Sequence, residues 1–287
     1  MENKKRREIL FTNTPFGIEI EFSCSNPEDI DLADYPNWYQ KLETSVENGI
    51  EITGKNPLIG EKATDEIYGI CDAIELGKQD IDKDSCGGHV HVSLSNMDSR
   101  AIVILSDIYR MTESVIYAIC NPPGEKIRLY AEAHARGAKD KINSDIIGFD
   151  ISNPKSEASK LITDKILQAK SNGIRFANTL GTIEYRMSNE PKNAEAWIDN
   201  INLYVGMVET AKRISEIYRK GKTDENYEDL RKIGLKEETD EIIEEKLELL
   251  LSIIEFPEEY KEVYRTRFRA NIENAKKFLN IKCAQQR

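Results

Sequence analysis

Histidine is scarce in this sequence, three among 287 residues, and the five cysteines, Cys24, Cys71, Cys86, Cys120 and Cys283, form no CxxC pair. That scatter argues against a zinc-finger or disulfide framework and suits reduced thiols in the cytoplasm. Long hydrophobic runs are missing as well: none approaches the roughly 18 residues of a membrane span. The opening MENKKRREILF is basic without an apolar stretch before a small-residue cleavage site, so it does not read as a secretory signal. A positive charge balance is also absent. Forty basic against 51 acidic residues leave −11, so neither nucleic acid nor an anionic membrane is an expected partner. No GxxxxGK[ST] loop and no kinase signature set occurs, which argues against the commonest nucleotide folds. Internal repeats and low-complexity tracts are lacking too.

What is present is the composition of a folded chain, 39% hydrophobic and 32% charged, with mean hydropathy −0.55. The length allows either one elaborate domain or a catalytic body with an appendage. Period-two alternation predicts strands over 16–23, 49–53, 88–94, 174–177 and 181–187, and a period near 3.6 predicts helices over 62–76, 99–119 and 157–169. Polar residues 95–99 can cap the second helix. The segment 121–154, with Pro122, Pro123, Gly124, Gly137 and Gly148, is too long and punctuated for an ordinary connection. It reads as a closing or substrate loop carrying Arg128, Tyr130, His134 and Arg136, with a plain surface loop as the alternative. After about Pro191 the pattern is helical alone. It starts with the stripe Trp197, Ile201, Tyr204, Val205, Val208, Ala211 and continues over 237–254 and 258–279, whose many charges require solvated faces. The expected organisation is an α+β core over 1–190 and a helical region over 191–287 that packs on it or extends it. That region leaves room for a homo-oligomer or a protein partner.

Chemistry concentrates in the alternating strands. In Gly17-Ile18-Glu19-Ile20-Glu21-Phe22 both carboxylates share one face, roughly 7 Å apart, and the apolar side chains share the other. Taken alone, the segment reads as an edge or half-exposed strand with a wet face; the recurrence of the pattern in other strands argues for chemistry. Cys86-Gly87-Gly88-His89-Val90-His91 puts two of the three histidines on one face, a metal-ligand arrangement or a pair of hydrogen-bonded structural histidines. Thr182-Ile183-Glu184-Tyr185-Arg186 places a carboxylate and a guanidinium together, either for chemistry or as a structural ion pair. Asn48-Gly49 signals a tight turn, so Glu43 precedes the turn and Glu51 opens the next strand; taken alone, both read as ordinary surface acids at a hairpin. Together these strands can gather Glu19, Glu21, Glu43, Glu51, His89, Glu184 and Arg186 on one sheet face. Carboxylates so crowded raise one another's pKa unless cations compensate. Magnesium or manganese accepts carboxylate oxygens, tolerates an imidazole and bridges the oxygens of a nucleotide triphosphate, which favours phosphoryl chemistry over zinc hydrolysis.

The ordered motifs GIEIEF, ETSVENGIEI, CGGHVHV and TIEYR resemble the amidoligase family of the carboxylate-amine ligase superfamily, with glutamine synthetase and glutamate-cysteine ligase as better-known relatives. The resemblance runs from about Phe16 to Trp197. It implies a glutamine-synthetase-like, curved, mainly antiparallel sheet with helices on its outer face and ATP plus divalent metal on the concave one. It further implies one metal site from Glu21, Glu43 and Glu51 and another from Glu19, His89 and Glu184. His91 then faces nucleotide phosphate, Arg186 clamps the transferring phosphoryl group, and Arg175, Asn178 and Arg128 contact the nucleotide. Two departures stand out: Glu43 occupies a position where many members carry aspartate, and the helices after about Gly221 match nothing in the resemblance. The implied activity is ATP- and metal-dependent ligation of a small-molecule or peptide carboxylate to an amine through an acyl phosphate. A noncatalytic nucleotide- or partner-binding protein on the same fold and a metal-dependent hydrolase are the alternatives.

Overall fold

The computed structural model describes residues 6–24, 27, 30–76, 79, 86–121, 127, 174–177, 180–234 and 236–285. The expected helix over 157–169 and nearly all of the 121–154 segment, with Arg128, Tyr130, His134 and Arg136, lie outside these residues, as does Asn178. Among the described residues, six strands form one antiparallel sheet: β1 (Phe16–Ser23), β2 (Trp38–Glu43), β3 (Gly49–Gly54), β4 (Gly87–Ser93), β5 (Ile174–Ala177) and β6 (Thr182–Asn189). Their order is β2-β3-β1-β4-β6-β5, so β1 sits near the middle, between β3 and β4. Seven helices are present among the described residues: α1 (Lys62–Ala73), α2 (Ser99–Met111), α3 (Glu113–Cys120), α4 (Ala194–Arg219), α5 (Glu225–Gly234), α6 (Asp240–Ile254) and α7 (Glu258–Gln285). The fold class is therefore α+β with an open antiparallel sheet. No helix among the described residues is long and apolar enough to cross a membrane.

Alternation decides which face of the sheet is covered. Phe16, Ile18, Ile20 and Phe22 of β1, Ile50 and Ile52 of β3, Val90 and Val92 of β4 and Ile183, Tyr185 and Met187 of β6 are all buried. Residues two apart on a strand share a face, so these side chains form one apolar surface. They join Ile67 and Ile70 of α1, Val115 and Ile119 of α3 and Trp197, Ile201, Tyr204 and Val208 of α4 in a single hydrophobic core. Tyr185 stacks on Tyr204 with ring centroids 4.4 Å apart, which ties β6 to α4. Helix α4 packs on β4, α1, α2 and α6, whereas α3 packs on β6 and α7. The stripe expected from Trp197 to Ala211 is thus core, and α6 and α7 close over it with Leu250, Leu251, Tyr264 and Phe268 buried.

Several elements depart from the sequence expectation for local reasons. The helix expected over 99–119 is two helices, because Thr112 leaves helical geometry at φ −116° and ψ 16°. Its hydroxyl donates to the Ile108 carbonyl at 2.7 Å, a back-bond that bends helices. The start of α2 is as expected, with Asp98 accepting from the Ala101 amide at 2.8 Å. The β2–β3 connection spans residues 44–48, longer than the tight turn expected at Asn48-Gly49, since Glu43 pairs with Gly49. Asn48 takes the left-handed conformation, φ 51°. A Cβ on Gly49 would lie 2.3 Å from the Glu43 carbonyl oxygen. Strand β2 itself carries little apolar alternation; its Trp38 is buried and donates Nε1–H to Glu66 of α1 at 3.0 Å.

Candidate active site

Helices cover the apolar sheet face, and the other face collects the candidate site residues through register. Glu21 pairs with Glu51 and Glu51 with Lys41 across β1, β3 and β2. One step along, Glu19 pairs with His89. A further step brings His91 opposite Glu184, and Glu184 opposite Arg175 of β5. The β4–β6 ladder shifts register between Gly88 and Val90, at His89. A bulge of this kind re-aims the side chain it carries.

His89 is buried, and its Nδ1 lies 2.9 Å from Glu19 Oε2, 3.5 Å from Glu21 Oε1 and 3.7 Å from Glu184 Oε1. His91 places Nε2 3.2 Å from Glu19 Oε1 and Nδ1 3.2 Å from the Thr182 hydroxyl. If Thr182 donates to Nδ1, the Nε2–H is left to donate to Glu19. Arg186 donates to the Glu184 carboxylate and comes within 3.5 Å of His89 Nδ1. Lys41 Nζ lies 2.7 Å from Glu51 Oε1 and forms an ion pair with it. The cluster therefore alternates acids and bases, with the acids more deeply set at Glu21, Glu51 and Glu184.

These contacts divide the carboxylates electrostatically. Burial alone would push Glu19 up, but hydrogen bonds from His89 and His91 and their charges outweigh it and hold the carboxyl far below its ordinary range. Burial likewise opposes ionisation of Glu184, and the Arg186 guanidinium with the two imidazoles overcomes it. Glu51 goes the other way. Burial first and the Glu19 charge second push it up to about 7, with Lys41 only partly offsetting them. Of these three carboxyls, Glu51 is the one whose neighbouring cation does not compensate for burial and the nearby negative charge.

Among the described residues, two groups of histidine, cysteine or acidic side chains have ligand atoms within 4.8 Å of one another: Glu19, His89 and Glu184, and Glu19, Glu21 and Glu51. Hard oxygens with one imidazole suit a magnesium- or manganese-sized cation. The first group is the set implied by the resemblance. The second differs from the implied one, with Glu19 shared between both groups and Glu43 in neither. Glu43 ends β2, and its carboxylate accepts the Ser45 amide of its own turn at 2.8 Å. Arg175 is placed by backbone register only, opposite Glu184.

Local packing holds these strands in place. Where β4 separates from β1, Gly87 donates its amide to Glu21 Oε2 at 2.7 Å, and the buried Glu190 accepts the Glu21 amide at 3.0 Å. The two carboxylates replace the ladder bonds that end there. Gly88 has no room for a side chain, since a Cβ would stand 2.4 Å from Pro191 Cδ and 3.2 Å from Trp197 Cη2. The missing side chain at Gly88 thus lets Pro191 and the α4 residue Trp197 pack directly on β4. The sequence pattern singles out neither Lys41 nor Glu190, and it gives Thr182 no role beyond membership of its strand. Lys41 has the signal of sharing its strand face with Glu43, two residues on; Glu190 follows β6 and has no local signal.

The family model described as "putative amidoligase enzyme" matches residues 40–208. The match takes in β3 to β6 and the first part of α4, and begins inside β2. Strand β1, with Glu19 and Glu21, precedes it in the chain but lies between two strands inside it. No curated protein matches the chain.

Proposed function

Because the chain belongs to the amidoligase family, we propose that its polar sheet face performs ATP- and divalent-metal-dependent ligation of a carboxylate to an amine. The observation that carries this reading is the pair of three-residue groups sharing Glu19, with Arg186 beside one and Lys41 beside the other. The antiparallel order with helices on one face also supports a glutamine-synthetase-like plan for the sheet. Glu19, His89 and Glu184 would hold one magnesium or manganese ion, and Glu19, Glu21 and Glu51 another. When bound, such ions neutralise triphosphate and the charge that develops as a phosphoryl group moves.

The chain's own groups would then act as follows. Arg186 presents a planar, doubly donating guanidinium to the transferring phosphoryl oxygens. His91, oriented by Thr182, contributes a donor next to Glu19. The γ-phosphoryl group passes from ATP to a substrate carboxylate oxygen, giving ADP and an acyl phosphate. The amine nitrogen then attacks the acyl carbon, phosphate departs with that oxygen, and the nitrogen loses a proton. Arg175 stands in register beside Glu184, where a nucleotide contact on β5 is consistent with the proposal.

Incubation with ATP, magnesium and pools of amino acids and small peptides, followed by a mass search for condensation products, tests the reading. Hydroxylamine added to the same mixture traps the acyl phosphate. Product and trapping should both vanish in EDTA. Turnover without ATP would point instead to a metal-dependent hydrolase, and metal-dependent nucleotide binding without turnover to the noncatalytic alternative.

A further inference from the structure

We infer that Lys41 is a tethered counter-ion that occupies the Glu19–Glu21–Glu51 group until a divalent cation displaces it. The inference rests on the reading of that face as a cation site. Lys41 lies on β2 directly across from Glu51, and its ammonium reaches the carboxylate at 2.7 Å. The two partners differ sharply in exposure, 46% for the lysine side chain and 4% for the glutamate. A buried carboxylate is thus served by a cation whose stem stands in solvent at the outermost strand.

Three physical points make this pair exchangeable. A divalent ion close to Glu51 and an ammonium on the same carboxylate repel each other, and Coulomb repulsion is least screened where the acid is buried. The ammonium is compact, strongly hydrated and carried on a flexible stem, so returning it to water costs little. Strand β2 is an edge strand in the described sheet, with no neighbouring strand to confine Lys41 on its outer side. Arg186 makes the corresponding contact with Glu184 in the other group, but at 18% exposure and within reach of His89 it is held more deeply. The two groups should therefore load differently, with cation entry at the Glu51 group coupled to release of Lys41. Once released, the ammonium remains at the mouth of the site.

The test is manganese binding to the full-length chain at pH 8, followed by titration calorimetry and by the paramagnetic signal of free ion. Removing the competitor in Lys41→Met should tighten the weaker manganese site about tenfold, equivalent to about 1.4 kcal/mol. Lys41→Arg retains a tethered charge and should stay within about twofold of wild type. The native chain provides an independent readout: in protein labelled with ¹⁵N-lysine, the Lys41 ammonium signal should change from ion-paired to freely exchanging as magnesium is added. Unchanged or weaker binding in Lys41→Met, or a Lys41 signal indifferent to saturating magnesium, would overturn the role. If either result appears while Glu51→Gln weakens binding, the cation site stands and only the lysine's part falls. Wild type that binds no manganese, or binding that survives Glu21→Gln combined with Glu184→Gln, would overturn both.

Discussion

Glu51 offers the most direct test of whether the site is built to receive a cation. In metal-free protein its carboxyl is pushed from an ordinary 4.5 up to about 7, by burial first and the Glu19 charge second. A carboxyl with a raised folded pKa binds its proton more tightly in the folded chain than in the unfolded one. Its contribution therefore favours the fold below about pH 4.5 and is lost as pH rises toward 7. Integrated over that window, with 1.36 kcal/mol per pKa unit, wild type should lose about 2 to 3 kcal/mol between pH 5 and pH 8 from this group. Glutamine keeps the shape and an oxygen acceptor for Lys41 but has no charge to desolvate. Glu19 and Glu184, held below their ordinary values, contribute in the opposite sense: their stability is present above about pH 4.5 and lost as pH falls below it. They are common to both proteins, so the difference isolates Glu51. Urea denaturation in EDTA at pH 5, 6, 7 and 8 should show Glu51→Gln gaining on wild type by that amount, and magnesium should reverse the ranking. Parallel pH profiles, or a glutamine variant less stable at pH 8 in EDTA, would refute the argument.

Much of the site's face is legible because strand periodicity is local. Glu19 and Glu21, His89 and His91, and Glu184 and Arg186 lie on a common face for the same reason: each pair is two residues apart. Sequence spacing does not tell which strands are neighbours. The sharing of Glu19 between two groups follows from β1 lying between β3 and β4, and that order is set by the whole core. Glu43 illustrates the limit. It has the right face, yet it stands at the strand end and serves its own turn, while Lys41, two residues earlier, pairs with Glu51. Helix α5 is a different kind of miss. Its Tyr227, Leu230 and Ile233 are buried at helical spacing, but they are set among six charged or amide neighbours in a run that reads as solvated. The break at Thr112 is hidden because the apolar stripe continues unbroken through it.

Glu21→Gln should abolish ligation and weaken manganese binding while leaving the fold intact, because the amide oxygen can still accept the Gly87 N–H that Glu21 Oε2 accepts; calorimetry and thermal melts in EDTA separate the two effects. Gly88→Ala should lower stability by about 1 to 3 kcal/mol, the usual cost of forcing atoms into a packed core, since its Cβ would press on Pro191 Cδ at 2.4 Å; an unchanged urea midpoint would show that Pro191 yields freely. Arg186 poses the sharpest choice, because a guanidinium on Glu184 can serve the fold or the reaction. Its contact with a fully buried carboxylate gives a structural role real weight, and loss of that role would appear as a lower melting temperature. A phosphoryl clamp acts instead on the rate, since its interaction grows as charge develops, and removing one preorganised donor typically costs about 100- to 1,000-fold in turnover. Lysine retains the charge for Glu184 but not the planar fork. Arg186→Lys should therefore keep its melting temperature and ATP affinity and lose acyl-phosphate trapping in a single turnover. An unchanged trapping rate with a lowered melting temperature would assign Arg186 to the sheet and move the search for the clamp to Arg175, its neighbour in register across Glu184.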